Sequence, residues 1–166
     1  GVLRLATTDA ELASVVGHEL AHVTMGHLVK RAQNQMAGMV GNILLGAAMD
    51  FEAGVRGVDT KGGYTRGLMQ DGAFAMATER EADYVGTYYA ARAGYDAAAG
   101  ERVWRALARE NPQQIYYAGM HPTAPERVIL LQKTAQEIAE KRRRNQPLNP
   151  ETKSSQAAAM PTAGEQ

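Results

Sequence analysis

Apolar and polar positions alternate with a helical period from the ninth residue on. Leu12, Val15, Val16, Leu20 and Val23 recur at the spacing of one helix face. Ahead of them stands Thr8, followed three positions later by Glu11. That is a capping box: the hydroxyl accepts the Glu11 amide and the carboxylate reaches back to the Thr8 amide. The pattern predicts a first helix from Asp9 to about Arg31. A second helical pattern covers Phe74 to Ala93, with Gly94 just past its C-terminal cap. Asp96 then caps a third helix, Ala97 to about Glu110, which carries Val103, Trp104 and Leu107 on one face. Asn111-Pro112 ends it. Thr123 and Glu126 form another capping box, with Pro125 in the first turn. The last helix, Ala124 to about Arg144, is expected to bury Val128, Leu130, Leu131 and Ile138.

Between the first two helices the pattern dissolves. Gly38, Gly41, Gly46, Gly54, Gly57, Gly62, Gly63, Gly67 and Gly72 interrupt residues 35–75. Short helical pieces around Val40 to Met49 are expected there, then a mobile loop such as GVDTKGGYTRG, and the whole glycine-rich segment 35–75 is expected to act as a gate or plug over the cleft. The apolar run from Met36 to Met49 falls short of the about 20 residues a membrane span needs. Beyond Gln146 the chain turns to Pro, Ser, Thr, Ala and Gln, the composition of a disordered tail. The expected organisation is one mainly helical domain over 1–145 and a tail over 146–166.

Composition narrows the chemistry. A chain of 166 residues can bury a substantial core. Lys+Arg and Asp+Glu are 18 each, so the formal net charge is zero. A nucleic-acid partner is not expected, since a phosphate-binding surface needs excess basic charge. There is no cysteine. Disulfides, thiol nucleophiles and thiolate metal sites are thereby excluded, and any metal must be held by histidines and carboxylates. The first residue is Gly1 and no signal-peptide pattern is visible, so a processed or truncated piece is expected.

The stretch VVGHELAHVTMGH holds three of the four histidines. On a helix, residues four apart lie about 40° apart and one turn above each other. His18 and His22 can therefore aim two imidazoles at one metal ion, while Glu19, turned off that line, can reach a water on its open side. The pattern fixes only three positions, so a chance match on an amphipathic helix is the rival reading. Gly17, Ala21 and Gly26 are small and are expected to keep the ligand side open. His27 lies about 180° from His18 on a continuous helix, which argues for a structural or exposed residue and against a ligand. A catalytic site wants a third protein ligand. Without cysteine that leaves His121 or a carboxylate. In TEREAD, Glu79 and Asp83 share a face and Glu81 points elsewhere. Glu79 could bind a metal while Asp83 accepts the second ring N–H of a ligand histidine. A solvated, charged helix face fits the same spacing.

HELAH, EREADYVG, ARAGYD and an HPT segment followed by an arginine occur here in order. Together they resemble the HtpX-like and BepA-like zinc metalloproteases, in the larger family that includes the CAAX prenyl-protein proteases. The resemblance runs from about Gly1 to Gln132. It implies a mainly α, gluzincin-type metallopeptidase domain, α+β in full family members. One Zn²⁺ would be bound by His18, His22 and Glu79, with Glu19 as general base and Asp83 behind a ligand. His121, followed by Pro122, would lie near the metal as an oxyanion donor or as a latch on the open position, with Arg127 nearby. Family members carry a small sheet before the zinc helix, and the resemblance leads to the expectation that this chain largely lacks it. The implied substrate is polypeptide, and the implied setting is the bacterial periplasm or cell envelope, without a membrane span in this chain. A chaperone or adaptor module with weak or latent peptidase activity is the alternative.

Overall fold

The structure is a computed structural model that describes residues 4–38, 40, 62–110 and 125–152, with the backbone alone over 62–73. All regular structure among the described residues is helical. α1 spans Asp9–Thr24, α2 covers 27–38, α3 is Gly62–Arg92, α4 is Ala99–Glu110 and α5 is Pro125–Arg143. The expected mainly helical class is therefore what forms.

The Thr8–Glu11 capping box is present at the start of α1. The Glu11 carboxylate accepts from the amides of Thr7 and Thr8 and from Arg102 on α4. These contacts hold it well below the usual carboxylate range, at about 2, the Thr7 amide contributing most. The first helix ends earlier than the apolar period predicts. Met25 is its C-cap and Gly26 takes φ +65, a left-handed conformation that lacks the Cβ penalty only in glycine. The chain then resumes as α2 in a new direction.

The second helix begins earlier than expected. α3 continues upstream of Phe74 through Gly72, Gly67 and Gly63. Each glycine costs about 1 kcal/mol relative to alanine. Extending a helix already nucleated is far cheaper than starting one, so the long helix absorbs them. The expected loop therefore survives at most over residues outside the described ones. The expected piece around Val40 to Met49 lies outside them too, apart from residue 40.

The main helix contacts run in a ring: α1 on α3, α3 on α5, α5 on α4, and α4 back on α1. Each side of the ring is tied by polar contacts. Tyr84 and Tyr88 of α3 both donate to Glu137 of α5, and Arg142 donates to the Ala91 carbonyl. Gln132 of α5 reaches Glu101 of α4, and Arg102 of α4 reaches Glu11 of α1. The apolar core is modest. Tyr88, Ala91, Ala97 and Ile138 form one cluster, and Ala21, Ala82 and Val85 another. Leu148, past the end of α5, packs against the first cluster, and the Glu151 amide donates to Tyr84.

α1 and α3 meet backbone to backbone. A Cβ placed on Gly17 would lie 2.5 Å from the Gly86 carbonyl oxygen, and one on Gly86 would lie 2.6 Å from the His18 nitrogen. The small residues of α1 thus admit another helix, where an open ligand face was expected. This close approach turns the small and polar face of α1 inward: its buried residues are Glu11, Gly17, His18 and Ala21. Leu12, Val16, Leu20 and Val23, the apolar period of the sequence, remain 40–66% exposed.

Candidate metal centre

Every helix of the ring sends polar or aromatic side chains to the same interior point: His18 from α1, Glu79 and Asp83 from α3, Trp104 from α4 and Arg127 from α5. The first histidine is one-twentieth exposed, and Glu79, Asp83 and Arg127 are 1–3% exposed. Charges this deep are tolerated only when paired.

His18, His22 and Glu79 form a cluster that could hold a metal ion, with one ligand atom from each within 4.8 Å of the others. The nitrogens His18 Nε2 and His22 Nε2 are 3.1 Å apart. Glu79 places Oε2 3.4 Å from the first and Oε1 3.3 Å from the second. An ion held tetrahedrally by bonds of about 2.0–2.1 Å sets its ligand atoms about 3.3–3.4 Å apart. The spacings here are close to that size, with each nitrogen facing its own oxygen of the Glu79 carboxylate, and the two-nitrogen, one-carboxylate donor set suits a first-row transition metal better than calcium or magnesium.

The ring nitrogens facing away from the cluster are also engaged. Asp83 Oδ1 lies 3.0 Å from His18 Nδ1. Arg127 grips that carboxylate through Nε at 2.6 Å and Nη2 at 2.8 Å, and its Nη1 sits 2.9 Å from Glu79 Oε2. The guanidinium carbon stacks 3.8 Å above the Trp104 ring, and Trp104 also meets His18 edge-on at 5.7 Å between ring centroids. Two buried carboxylates face one guanidinium, which leaves an excess negative charge. Burial pushes the His18 ring down, but Asp83 and Glu79 outweigh it and raise it to about 9. Without a metal, the proton on His18 balances the pocket.

His22 is supported by a residue the helix angle had set aside. Because α1 breaks at Met25 and Gly26, His27 swings back, 3% exposed, with Nδ1 3.0 Å from His22 Nδ1. Its Nε2 lies 3.0 Å from Glu81 Oε2, and Lys30 Nζ lies 3.8 Å from the same oxygen. Burial, the largest influence, holds His27 below its ordinary value. His27 stays outside the ligand cluster, as expected, but it is neither exposed nor remote. Glycine inside a helical pattern, at position 26, was the available signal of the break.

Glu19 is exposed on α1, one residue from His18. It lines the mouth of a cavity of about 270 Å³ together with Val15, Val103, Trp104, Leu107 and Leu131. His121 and Pro122 lie outside the described residues. Arg127 is deeper than a neighbouring role required, since it bridges both carboxylates.

The chain is similar to known proteins. The sequence model of peptidase family M48 matches residues 1–135. The beta-barrel assembly-enhancing protease of Yersinia pestis is 34% identical over 103 residues, 57% of this chain and 20% of that one. Its Escherichia coli K12 counterpart is 32% identical over the same shares. A Vibrio cholerae protein given that name provisionally is 35% identical over 118 residues, 66% of this chain and 24% of that one. The chain thus spans a fifth to a quarter of the length of these relatives. No solved structure matches at comparable significance. No helix among the described residues is long and apolar enough to cross a membrane.

Proposed function

The chain belongs to peptidase family M48, and on that footing we propose that it is a zinc-dependent metalloendopeptidase that hydrolyses peptide bonds of protein substrates. The observation that carries the reading is the convergence of His18, His22 and Glu79, which bring one ligand atom each to within 4.8 Å of the others. When bound there, zinc supplies Lewis acidity and lowers the pKa of a water to about 7. His18 and His22 offer their Nε2 lone pairs, and Glu79 offers a carboxylate oxygen. Asp83 and Arg127 keep His18 in the tautomer that leaves Nε2 free to bind.

Glu19 is the general base. It stands on the same helix, turned off the ligand line and open to solvent, where a carboxylate can take a proton from the attacking water. As the water oxygen bonds to the scissile carbonyl carbon, Glu19 holds that proton. It then delivers the proton to the departing amide nitrogen, and the C–N bond breaks to leave a carboxylate and an amine. His121 is assigned, from the family resemblance, to the developing oxyanion or to a latch over the open position.

The named relatives are beta-barrel assembly-enhancing proteases, which supports protein quality control in the bacterial periplasm or envelope as the setting. The test compares the chain with Glu19→Gln. Both should carry about one zinc per chain, while cleavage of casein should fall by about 10²–10⁴-fold in the variant. No zinc in either protein would overturn the reading. Zinc without cleavage by the unmodified chain would move it to the adaptor alternative.

A further inference from the structure

Seen from the metal cluster, the two ligand histidines have unequal backing. His18 meets a carboxylate directly, because Asp83 lies 3.0 Å from its Nδ1. At His22 Nδ1 the contact is of another kind. The partner there is another imidazole, His27, and the carboxylate comes one step later, at Glu81.

The proton positions along this second line are forced once one end is fixed. A histidine that binds a metal through Nε2 carries its proton on Nδ1. His22 then donates from Nδ1, and the His27 Nδ1 must accept. The His27 proton therefore sits on Nε2, where the Glu81 carboxylate, acceptor-only when ionised, receives it at 3.0 Å. Read from the other end, the same order holds. Glu81 fixes the His27 tautomer, His27 fixes the His22 tautomer, and the His22 lone pair is left pointing at Glu79. The rings enforce orientation as well. His22 packs edge-on to His18 at 4.7 Å and to His27 at 4.8 Å between centroids, so its plane is held from both sides.

We propose that His27 and Glu81 are positioning residues for the metal ligand His22, a carboxylate–imidazole relay that selects its tautomer and aims its Nε2 into the cluster. The inference rests on the metal-site reading above and extends it to two residues that touch neither metal nor substrate. It also gives a reason for the break at Gly26. A continuous helix would carry His27 to the far side, and the left-handed residue is what returns it to His22.

The experiment is zinc affinity of the full chain, measured by competition with a chromophoric chelator, for the unmodified protein, His27→Phe, His27→Gln and Glu81→Ala. His27→Phe keeps a ring but accepts nothing from His22. Its zinc Kd should rise about 10–100-fold, the usual cost of losing such support. His27→Gln, whose carbonyl oxygen can accept the His22 N–H, should recover a large part of that loss. Glu81→Ala, altered at a partly exposed site away from the core, should weaken binding in the same direction and keeps the test open if His27→Phe fails to fold. In the zinc-loaded protein, ¹⁵N shifts should show His22 protonated at Nδ1 and His27 at Nε2. A purely structural role would lower the melting temperature of the metal-free protein without moving these shifts or the Kd of the folded fraction. Unchanged zinc affinity in folded His27→Phe and Glu81→Ala, or zinc on His22 Nδ1, overturns this inference and leaves the metal site standing. Absence of zinc from the unmodified chain overturns both.

Discussion

Gly17 and Gly86 cross with no room for a single carbon between them: a Cβ on Gly17 would stand 2.5 Å from the Gly86 carbonyl oxygen. The contact involves backbone on both sides, so no side chain can swing away to relieve it. It is also what brings α3 near enough for Glu79 to span both ligand histidines. Gly17→Ala is expected to destabilise the protein by about 2–3 kcal/mol, the upper range for forced overpacking, and to weaken metal binding. Gly38→Ala is the control, because a Cβ there meets nothing within 4 Å. It should be neutral or stabilising by up to about 1 kcal/mol. Urea denaturation of the metal-free proteins checks both.

Arg127 is the counter-ion on which the buried carboxylates depend. Its loss would strand Glu79 and Asp83, 2% and 3% exposed, without their guanidinium. Arg127→Ala should cost about 3–5 kcal/mol in the metal-free protein, the range for breaking a buried pair from one side. A divalent cation supplies part of the missing charge, so the deficit should shrink when zinc is present. Melting temperatures with and without zinc test this. An equal deficit in both states would mean that the arginine acts through its stacking on Trp104 and not through charge.

The pH response of the metal-free protein follows from His18. Its ordinary value is 6.5 and the folded value is about 9, so the folded state binds the proton more tightly. The resulting stabilisation is fully present below pH 6.5 and is lost as pH rises through 9. A metal competes for the same nitrogen, so its affinity runs the opposite way and climbs with pH over that window. Zinc uptake at pH 7.5 should release about one proton from His18. Calorimetry in buffers of different ionisation enthalpy measures it. No proton release would show that His18 is already neutral.

Local rules made several helix caps and the first ligand pair legible. The Thr8–Glu11 cap, Asp96 before α4, whose side chain accepts from the Ala98 amide, and Gly94 after α3 are all short-range chemistry. His18 and His22 share a helix, so their alignment is a matter of counting. Glu79 could be paired with them only through spacing and family resemblance, because no local rule says which face of α3 turns toward α1. That choice is made by Gly17 and Gly86, whose role lies in the absence of atoms. One reading failed where one preference outweighed another. Glycines in residues 62–75 suggested a loop, but an established helix runs through them. The apolar period of α1 marked one helix face but not which face is inside: Val16 and Val23 are exposed while His18 is buried, because packing distance and charge pairing chose the inward face. His27 escaped because counting degrees around a helix assumes that the helix is unbroken.

The left-handed turn at Gly26 gives one backbone torsion a reach of several residues. A Cβ at that position would touch nothing within 4 Å, so alanine there is penalised only by its conformation, about 1–2 kcal/mol. The chain could relieve that penalty by joining α1 and α2 into one straight rod. The rod would be the better helix and the poorer ligand, since the imidazole that meets His22 would rotate out of reach. Handedness at a bend and the aim of a ligand nitrogen are thus two readings of the same degree of freedom.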